Sequence, residues 1–192
     1  AAAMSKLEYA SFLAASLTYF AHKQRDRVGF VAFDDDVREY VPPAAKHRDL
    51  ILHTIDRLQP GGGSDLRAPM LKVAQASRKR GIVVLISDLY EDPKAARDAI
   101  QLLGYKGNDL IVFHVLDRAE IDFPFEDAAN YRDLESGETV PVIPERLREQ
   151  YREMVQAHID RLDRVLGAVR IDYALVDTSQ PLDHALFTYL SL

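Results

Sequence analysis

Apolar and polar positions alternate along the chain with two periods, one typical of helices and one typical of buried strands. Residues 5–24 carry an apolar stripe at helical spacing, and Ser5 followed by Glu8 is typical of a capping box at a helix start. The run IVVLI, which ends at Ile86, is continuously apolar, as expected for a strand buried on both faces of a parallel sheet. The pattern therefore predicts helices that alternate with buried strands.

The other elements follow from the same two periods and from the positions of proline and glycine. The strand RVGFVAF, a DDD turn and a second strand VREYV predict a hairpin, with Pro42 and Pro43 stopping the second strand. Helices are predicted at 48–58, from Asp65 or Ala68 to Arg80, and at 92–104, 144–167 and 181–190. Further strands are predicted at 82–87, 109–117 and 169–177, and residues 118–144 are predicted as a loop with a small hairpin around Ser136 and Gly137.

This order of elements predicts the fold class. Because helices alternate with apolar strands, we expect an α/β fold with a doubly wound, mostly parallel sheet between two helical layers, as in Rossmann-type proteins. The small hairpin is an addition to that sheet. The chain has 192 residues, which suits one full-sized domain, so residues 1–192 are predicted to form a single domain.

Composition and charge exclude several classes of function. The formal net charge is −6, with acidic and basic residues mixed along the chain, which argues against a nucleic-acid footprint and against a polybasic membrane contact. No apolar run approaches the roughly 20 residues that a membrane span needs. The chain has no cysteine, which excludes disulfides, thiolate nucleophiles and cysteine-ligated zinc, and is compatible with a cytoplasmic location.

The candidate chemistry lies where the predicted strands end. Ligands of open α/β sheets bind beyond the carboxyl ends of the strands; Asp34–Asp36 and Asp88 follow predicted strands, and Asp117 lies at the end of one. The glycine-rich loop that ends at Ser64 leads into a helix at the same rim. A serine hydroxyl and a carboxylate suit a hard cation such as Mg²⁺, and glycines allow the backbone a close approach. The alternative is that Ser64 and Asp88 only cap the helices that follow them.

Other chemistries have weaker support. The loop GGGSDL lacks the lysine of a phosphate-binding loop, neither Ser64 nor Ser87 lies in a G-x-S-x-G motif, and there is no H-E-x-x-H. His114 lies within a predicted strand and is interpreted as a structural histidine. Asp34 either belongs to a solvated turn or lies in an outer shell around the metal. Asp65 either orients Ser64 in that same outer shell or starts its helix.

Several segments together resemble a known family. The segments RDRVGFVAFDDDV, LQPGGGSDL and VVLISDLYEDP resemble, in this order, the motifs of DUF58 proteins, whose C-terminal half is similar to a von Willebrand factor A domain. The first helical segment SKLEYASFLAASLTYFAHKQ and the C-terminal segment VRIDYALVDTSQPLDHALFTYL also resemble that family. The resemblance covers essentially the whole chain.

The resemblance implies a metal-ion-dependent adhesion site, built from three loops, that holds Mg²⁺ or Mn²⁺. Ser64 matches the hydroxyl ligand of the second loop, although the family has threonine there, and Asp88 matches the aspartate of the third. The Asp-x-Ser-x-Ser of the first loop would precede the first helix, where this chain has three alanines. We therefore expect that the natural protein extends further toward its N-terminus, with an additional strand between those ending at Phe33 and Ser87.

A site of this kind binds partners and is not an enzyme active site. The resemblance implies a protein partner that offers an acidic side chain, and an adaptor role beside a MoxR-type AAA+ ATPase. Two alternatives stay open at this point. One is a Mg²⁺-dependent hydrolase or phosphotransferase that uses Asp88 as a ligand and an aspartate of 34–36 as nucleophile or base; the other is a scaffold that no longer binds metal.

Overall fold

The computed structural model describes residues 4–61, 65–77, 79–105, 107–125, 129–132, 139–142 and 144–191. The helices in this part of the chain are α1 (Lys6–Lys23), α2 (Arg48–Asp56), α3 (Arg67–Ala76), α4 (Pro93–Gly104), α5 (Arg118–Asp122), α6 (Pro144–Gly167) and α7 (Leu182–Ser191). The strands are β1 (Val28–Phe33), β2 (Val37–Ala44), β3 (Ile82–Ser87), β4 (Asp109–Leu116), β5 (Ala129–Arg132), β6 (Thr139–Val142) and β7 (Asp172–Asp177).

The main sheet contains β3, β4 and β7 in that order, and all three strands are parallel. Ile82 of β3 lies opposite Asp109 of β4, and Ile111 of β4 lies opposite Asp172 of β7. Parallel neighbours require crossover connections, and the helix α4 lies between β3 and β4 while α6 lies between β4 and β7. The predicted α/β class with a parallel sheet is confirmed.

Side chains of the central strand β4 alternate between two cores, one on each face of this sheet. Leu110 and Val112 are buried with residues of α3, α4 and α6, whereas Phe113 and Val115 are buried with residues of α1 and α7. Burial of each of these side chains stabilises the fold by about 1.5–3 kcal/mol. Helices therefore cover both faces of the parallel sheet, as predicted.

The hairpin β1–β2 is antiparallel and, among the described strands, is not hydrogen-bonded to the parallel sheet. The helix α2 covers it, with Ile51 and Ile55 packed against Val41. Within the described residues, β1 has a strand partner only in β2, and β3 only in β4. An additional strand between β1 and β3 stays a prediction.

The prediction that two prolines stop β2 is wrong, because this strand continues through them to Ala44. The register shifts between Val28 and Phe30, so the prolines lie beside a bulge in the ladder. A Cβ atom on Gly29 would lie 2.8 Å from Cγ of Pro43, which shows how closely the backbone approaches the ring there. Proline is tolerated at such bulges and at edge strands because it removes no ladder bond.

Two further boundaries differ from the prediction. The helix α3 ends at Ala76 and does not reach Arg80. The helix α5 lies within the segment predicted as a loop, where Asp117 and Glu120 form a capping box. The small hairpin is confirmed as β5–β6, although its predicted turn at Ser136 and Gly137 lies outside the described residues. No helix in the described part of the chain is both long and apolar enough to cross a membrane.

Candidate functional site

A small pocket lies at the carboxyl ends of β1 and β3. Its volume is about 160 Å³, and it is lined by Phe33, Asp34, Gly61, Leu66 and the segment 87–91. The end of the hairpin strand, the start of the glycine-rich loop and the end of β3 therefore meet at one place. Asp34 and Asp88, two of the candidate site residues, lie on this same pocket.

The carboxylate of Asp88 is bound to an ammonium group. Nζ of Lys6 lies 3.0 Å from Oδ2 of Asp88, 2.8 Å from Oε1 of Glu120 and 3.1 Å from the hydroxyl oxygen of Tyr90. The side chains of Lys6, Asp88 and Glu120 are 27%, 36% and 28% exposed. The ammonium is thus surrounded by three oxygen acceptors from two separate segments of the chain, the turn after β3 and the helix α5.

The charge state of Lys6 follows from these contacts. Burial of the ammonium lowers its pKa, but the hydrogen bonds to Glu120 and Tyr90 and the charge of Asp88 outweigh burial and raise the pKa above its ordinary value. Lys6 is therefore a permanent cation at this rim. It also lies 4.5 Å from the centre of the Tyr90 ring, at cation–π distance.

The alternative that Asp88 only caps the next helix is wrong. The cap of α4 is Asp92, whose carboxylate accepts hydrogen bonds from the backbone N–H groups of Lys94 and Ala95. Pro93 occupies the first turn of that helix, where its missing N–H costs nothing. The carboxylate of Asp88 has no capping role toward α4 and faces Lys6.

Two histidines hold the backbone of the turn that presents Asp88. Nε2 of His114 lies 2.9 Å from the carbonyl oxygen of Asp88, and Nε2 of His158 lies 2.8 Å from that of Leu89. A carbonyl oxygen can only accept, so both Nε2 atoms carry a proton and donate. Leu89 is buried with a φ of 45°, in the left-handed region that residues other than glycine rarely adopt. The two hydrogen bonds keep this unusual turn in one conformation.

His114 is a buried neutral residue, which confirms its interpretation as a structural histidine. Its Nδ1 lies 2.7 Å from the hydroxyl oxygen of Tyr173. Because Nε2 carries the proton, Nδ1 of the neutral ring accepts from that hydroxyl. Burial, helped by the nearby His158, lowers the pKa of His114 to about 4, so the ring is uncharged at neutral pH.

Asp34 lies on the same pocket, and its side chain is only 7% exposed. Its Oδ2 accepts from Nε of Arg38 at 2.5 Å, and its Oδ1 accepts from the N–H of Asp36 at 3.2 Å. Burial opposes ionisation of Asp34, but these hydrogen bonds hold its pKa below the usual range. A Cβ on Gly61 would lie 2.8 Å from Oδ2 of Asp34, so the loop can approach this carboxylate only with glycine at position 61.

The other candidate serines and aspartates have separate positions. Ser64, predicted as the hydroxyl ligand, lies outside the described residues. The carboxylate of Asp65 accepts from the N–H of Arg67 at 2.8 Å, so it contacts the first turn of α3. Its proposed role toward Ser64 stays a prediction. The hydroxyl of Ser87 accepts from the N–H of Leu89 at 3.3 Å and so stabilises the turn after β3.

The sequence reasoning missed four polar residues of this rim, namely Lys6, Tyr90, Glu91 and Glu120. Glu91 accepts the N–H of Leu66 at 2.6 Å, and burial raises its pKa. Lys6 is separated from Asp88 by 82 positions and from Glu120 by 114, so no local motif shows the contact. One signal was present: Lys6 is the first residue of α1, where the helix dipole disfavours a cation unless acidic groups compensate.

The rim offers the oxygen ligands that a hard cation prefers, but its described residues do not form a complete metal site. Asp34, Asp88 and Glu91 supply carboxylate oxygens, and Asp88 already binds one cationic group, the Lys6 ammonium. In the part of the chain that the structure describes, no three His, Asp or Glu side chains are grouped closely enough to hold a metal ion. The assignment of Asp88 and Ser64 as metal ligands therefore stays a prediction.

Comparisons with known proteins show the fold and the family. No curated protein matches the sequence. The chain is similar to an aerotolerance-related membrane protein from Bacteroides fragilis NCTC 9343 that carries multiple mutations to serines, with 16% identity, a TM-score of 0.59, and coverage of 97% of this chain and 89% of that one. It is also similar to the conserved hypothetical protein BatB from Bacteroides thetaiotaomicron, with 18% identity, a TM-score of 0.56, and coverage of 96% and 86%. At these identities the likeness shows the fold alone.

The family assignment rests on a match over most of the sequence. Residues 1–161 match the family described as "Protein of unknown function DUF58". These residues include β1 to β4 and most of α6, so the match contains every segment that lines the pocket. The chain therefore belongs to the DUF58 family.

Proposed function

We propose that this chain is a metal-ion-dependent protein–protein interaction module, and that its contact point is the pocket at the carboxyl ends of β1 and β3. Asp88 would be a direct ligand of Mg²⁺ or Mn²⁺, and Ser64 would supply a hydroxyl oxygen. When bound, such a cation offers a coordination position to a carboxylate of the partner. Asp34, which pairs with Arg38, would lie in the outer shell around the metal.

The observation that carries this proposal is the way in which the fold presents Asp88. Its backbone is held by His114, and that of the following residue by His158, so the main chain that carries the carboxylate is fixed from within the core. The carboxylate points to the rim and already binds a positive group. A residue whose only role is to cap a helix needs neither feature, and the cap of α4 is Asp92 and not Asp88.

The size of the pocket supports an interaction site over an enzyme active site. Pockets that bind small-molecule substrates have volumes of roughly 300–1,000 Å³. The pocket at this rim has a volume of about 160 Å³, enough for an ion with its water or for the tip of one side chain. That this site is not an enzyme active site is therefore part of the proposal.

The partner follows from the resemblance to DUF58 proteins. We propose that the partner is a protein that offers an aspartate or glutamate side chain, and that the chain works beside a MoxR-type AAA+ ATPase. Because such ATPases use ATP, a cytoplasmic location is part of the proposal. The similar protein from Bacteroides fragilis is described as a membrane protein, so an assembly near a membrane surface agrees with this proposal.

Calorimetric titration with Mn²⁺ tests the proposal. The wild type would be compared with Asp88→Asn, which keeps the shape of the side chain and removes its charge. Asp49→Asn is a matched control, because Asp49 is 80% exposed and pairs with Arg48 on α2, away from the pocket. Each protein would also be incubated with a generic phosphoester to detect turnover.

We expect the wild type and Asp49→Asn to bind Mn²⁺ equally and Asp88→Asn to bind at least about tenfold more weakly, because one charged ligand of the cation is lost. None of the three should hydrolyse the phosphoester. Equal binding by Asp88→Asn would contradict the metal site. Turnover that depends on Asp88 would favour the hydrolase alternative, and no binding at millimolar cation would favour a scaffold that does not use metal.

A further inference from the structure

The Lys6 ammonium uses all of its hydrogen-bonding capacity at the candidate site. It has three N–H donors, and three oxygens lie within 3.1 Å of Nζ, one each from Asp88, Tyr90 and Glu120. A surface lysine normally keeps its ammonium in water, and a buried ion pair costs desolvation that only good geometry offsets. The fold therefore places one specific positive charge against the carboxylate that would bind a metal.

A divalent cation and this ammonium compete for the same carboxylate. Both would lie within bonding distance of Asp88, where two positive charges a few ångströms apart repel each other strongly at the low effective dielectric of a partly buried site. The ammonium would have to leave before the carboxylate could bind a metal ion with full strength.

We propose that Lys6 is a built-in competitor for the cation at Asp88, so that metal binding requires release of its ammonium. This inference rests on the proposed function, because it concerns the regulation of the same site. In the absence of metal, Lys6 neutralises the acidic rim and keeps Asp88 and Glu120 from repelling each other. When a cation binds Asp88, the Lys6 ammonium is displaced from that carboxylate, while Glu120 keeps its capping bond to the N–H of Asp117.

The competition couples the site to two helices. Lys6 is the first residue of α1, and Glu120 lies in α5, so their ion pair joins the starts of these helices to the turn after β3. Release of Lys6 would remove this connection. By thermodynamic linkage, a partner that holds Lys6 away from Asp88 would increase the affinity for the cation by the same factor as the cation increases the affinity for that partner.

Two variants of Lys6 and one matched control test the competition. Lys6→Met removes the charge and keeps the length of the side chain, whereas Lys6→Arg keeps the charge. Lys72→Met removes a lysine of another ion pair, that between Lys72 and Asp36, in which both side chains are more than half exposed. Mn²⁺ affinity would be measured by calorimetry for each, after circular dichroism has shown that the variants are folded.

We expect Lys6→Met to bind Mn²⁺ at least about tenfold more tightly than the wild type, because a repelling unit charge has been removed from the site. Lys6→Arg and Lys72→Met should bind within about twofold of the wild type. The double variant Lys6→Met with Asp88→Asn should not show the increase in Mn²⁺ affinity, because the ammonium and the cation compete for Asp88.

A second measurement uses the wild type and does not depend on the folding of any variant. The rate at which an amine-acetylating reagent modifies Lys6 would be followed by mass spectrometry with and without Mn²⁺, with Lys72 as the internal reference. Release of the ammonium predicts that Mn²⁺ accelerates the modification of Lys6 and leaves that of Lys72 unchanged.

The two proposals fail in different ways. If Asp88→Asn abolishes Mn²⁺ binding but Lys6→Met binds no more tightly than the wild type and Mn²⁺ leaves Lys6 unreactive, the competition is refuted and the proposed function stands. If Asp88→Asn has no effect on Mn²⁺ binding, the proposed function itself is refuted and the competition falls with it.

Discussion

The protonation of His114 makes the stability of this protein depend on pH. Four ionisable side chains from different elements face the ring: Lys6 of α1, Asp88 after β3, His158 of α6 and Tyr173 of β7. The pKa of the buried ring is about 4, against 6.5 for an unperturbed histidine. At about 1.4 kcal/mol for each pKa unit, the native state disfavours the protonated ring by about 3 kcal/mol.

The sign of the effect follows from proton linkage. Above pH 6.5 the ring is neutral in both the folded and the unfolded chain, and its contribution to stability does not change with pH. Between pH 6.5 and pH 4 the unfolded chain binds a proton that the native protein does not, so stability falls as the pH is lowered. This contribution decreases by about 2.5 kcal/mol between pH 7.5 and pH 4.5 and levels off below pH 4.

The assay is urea unfolding followed by circular dichroism at a series of pH values. The free energy of unfolding would be compared between the wild type and His114→Gln, whose amide can still donate a hydrogen bond but does not titrate. Subtraction of the two profiles removes the carboxylates that titrate in both proteins. His53→Gln is the control, because His53 is an exposed histidine of α2.

We expect the wild type to lose about 2.5 kcal/mol more than His114→Gln between pH 7.5 and pH 4.5. The profile of His53→Gln should be parallel to that of the wild type. Parallel profiles for the wild type and His114→Gln would refute the conclusion that His114 is a buried neutral ring.

Three substitutions test other parts of the structure by the same urea assay. Tyr173→Phe leaves the buried Nδ1 of His114 without its donor and should cost about 1–3 kcal/mol; a loss below about 0.5 kcal/mol would contradict that hydrogen bond. Gly61→Ala should cost about 1–2 kcal/mol, because its Cβ would lie 2.8 Å from Oδ2 of Asp34, whereas unchanged stability would show that the loop does not pack against Asp34. Leu162→Ala should cost about 2–5 kcal/mol because that side chain is fully buried. Met154 on the same helix is 61% exposed, so Met154→Ala should change stability by less than about 0.5 kcal/mol. Similar losses for both variants would contradict the orientation of α6.

Local sequence signals predicted those elements whose stability is local. The capping box of Ser5 and Glu8 predicted the start of α1, and Asp92 followed by Pro93 predicted the start of α4. These signals work because a cap satisfies backbone groups within one turn of the helix, independently of the rest of the fold. The apolar strands were predicted for a related reason, since a strand buried on both faces carries few polar residues.

The errors occur where tertiary structure overrides local preference. The strand β2 continues through Pro42 and Pro43 because the bulge beside Gly29 removes the need for their missing N–H groups. On α6, Met154 is exposed while Leu162 is buried, because only the C-terminal half of the helix contacts the core formed with α4 and β4. Spacing predicts which residues share a face and does not predict how far along the helix the contact extends.

The candidate site was predicted only in part for the same reason. The carboxyl-end rule for parallel strands predicts where Asp88 lies, since it depends on topology alone. The pairing of Asp88 with Lys6 depends on the three-dimensional approach of α1 to the turn after β3, which no short motif records. The role of His114 was predicted in outline, but its two hydrogen-bond partners, Asp88 after β3 and Tyr173 of β7, are distant in sequence.

Paramagnetic broadening by Mn²⁺ in a two-dimensional amide NMR spectrum tests most directly whether this rim binds a cation. We expect substoichiometric Mn²⁺ to broaden first the amide signals of Asp88 and Leu89 and that of Asp34 across the pocket. The signal of Arg25 should stay sharp, because Arg25 follows the far end of the 18-residue helix α1, whose length is about 27 Å. Broadening centred on any other surface, or uniform weak broadening of all signals, would contradict the proposed site.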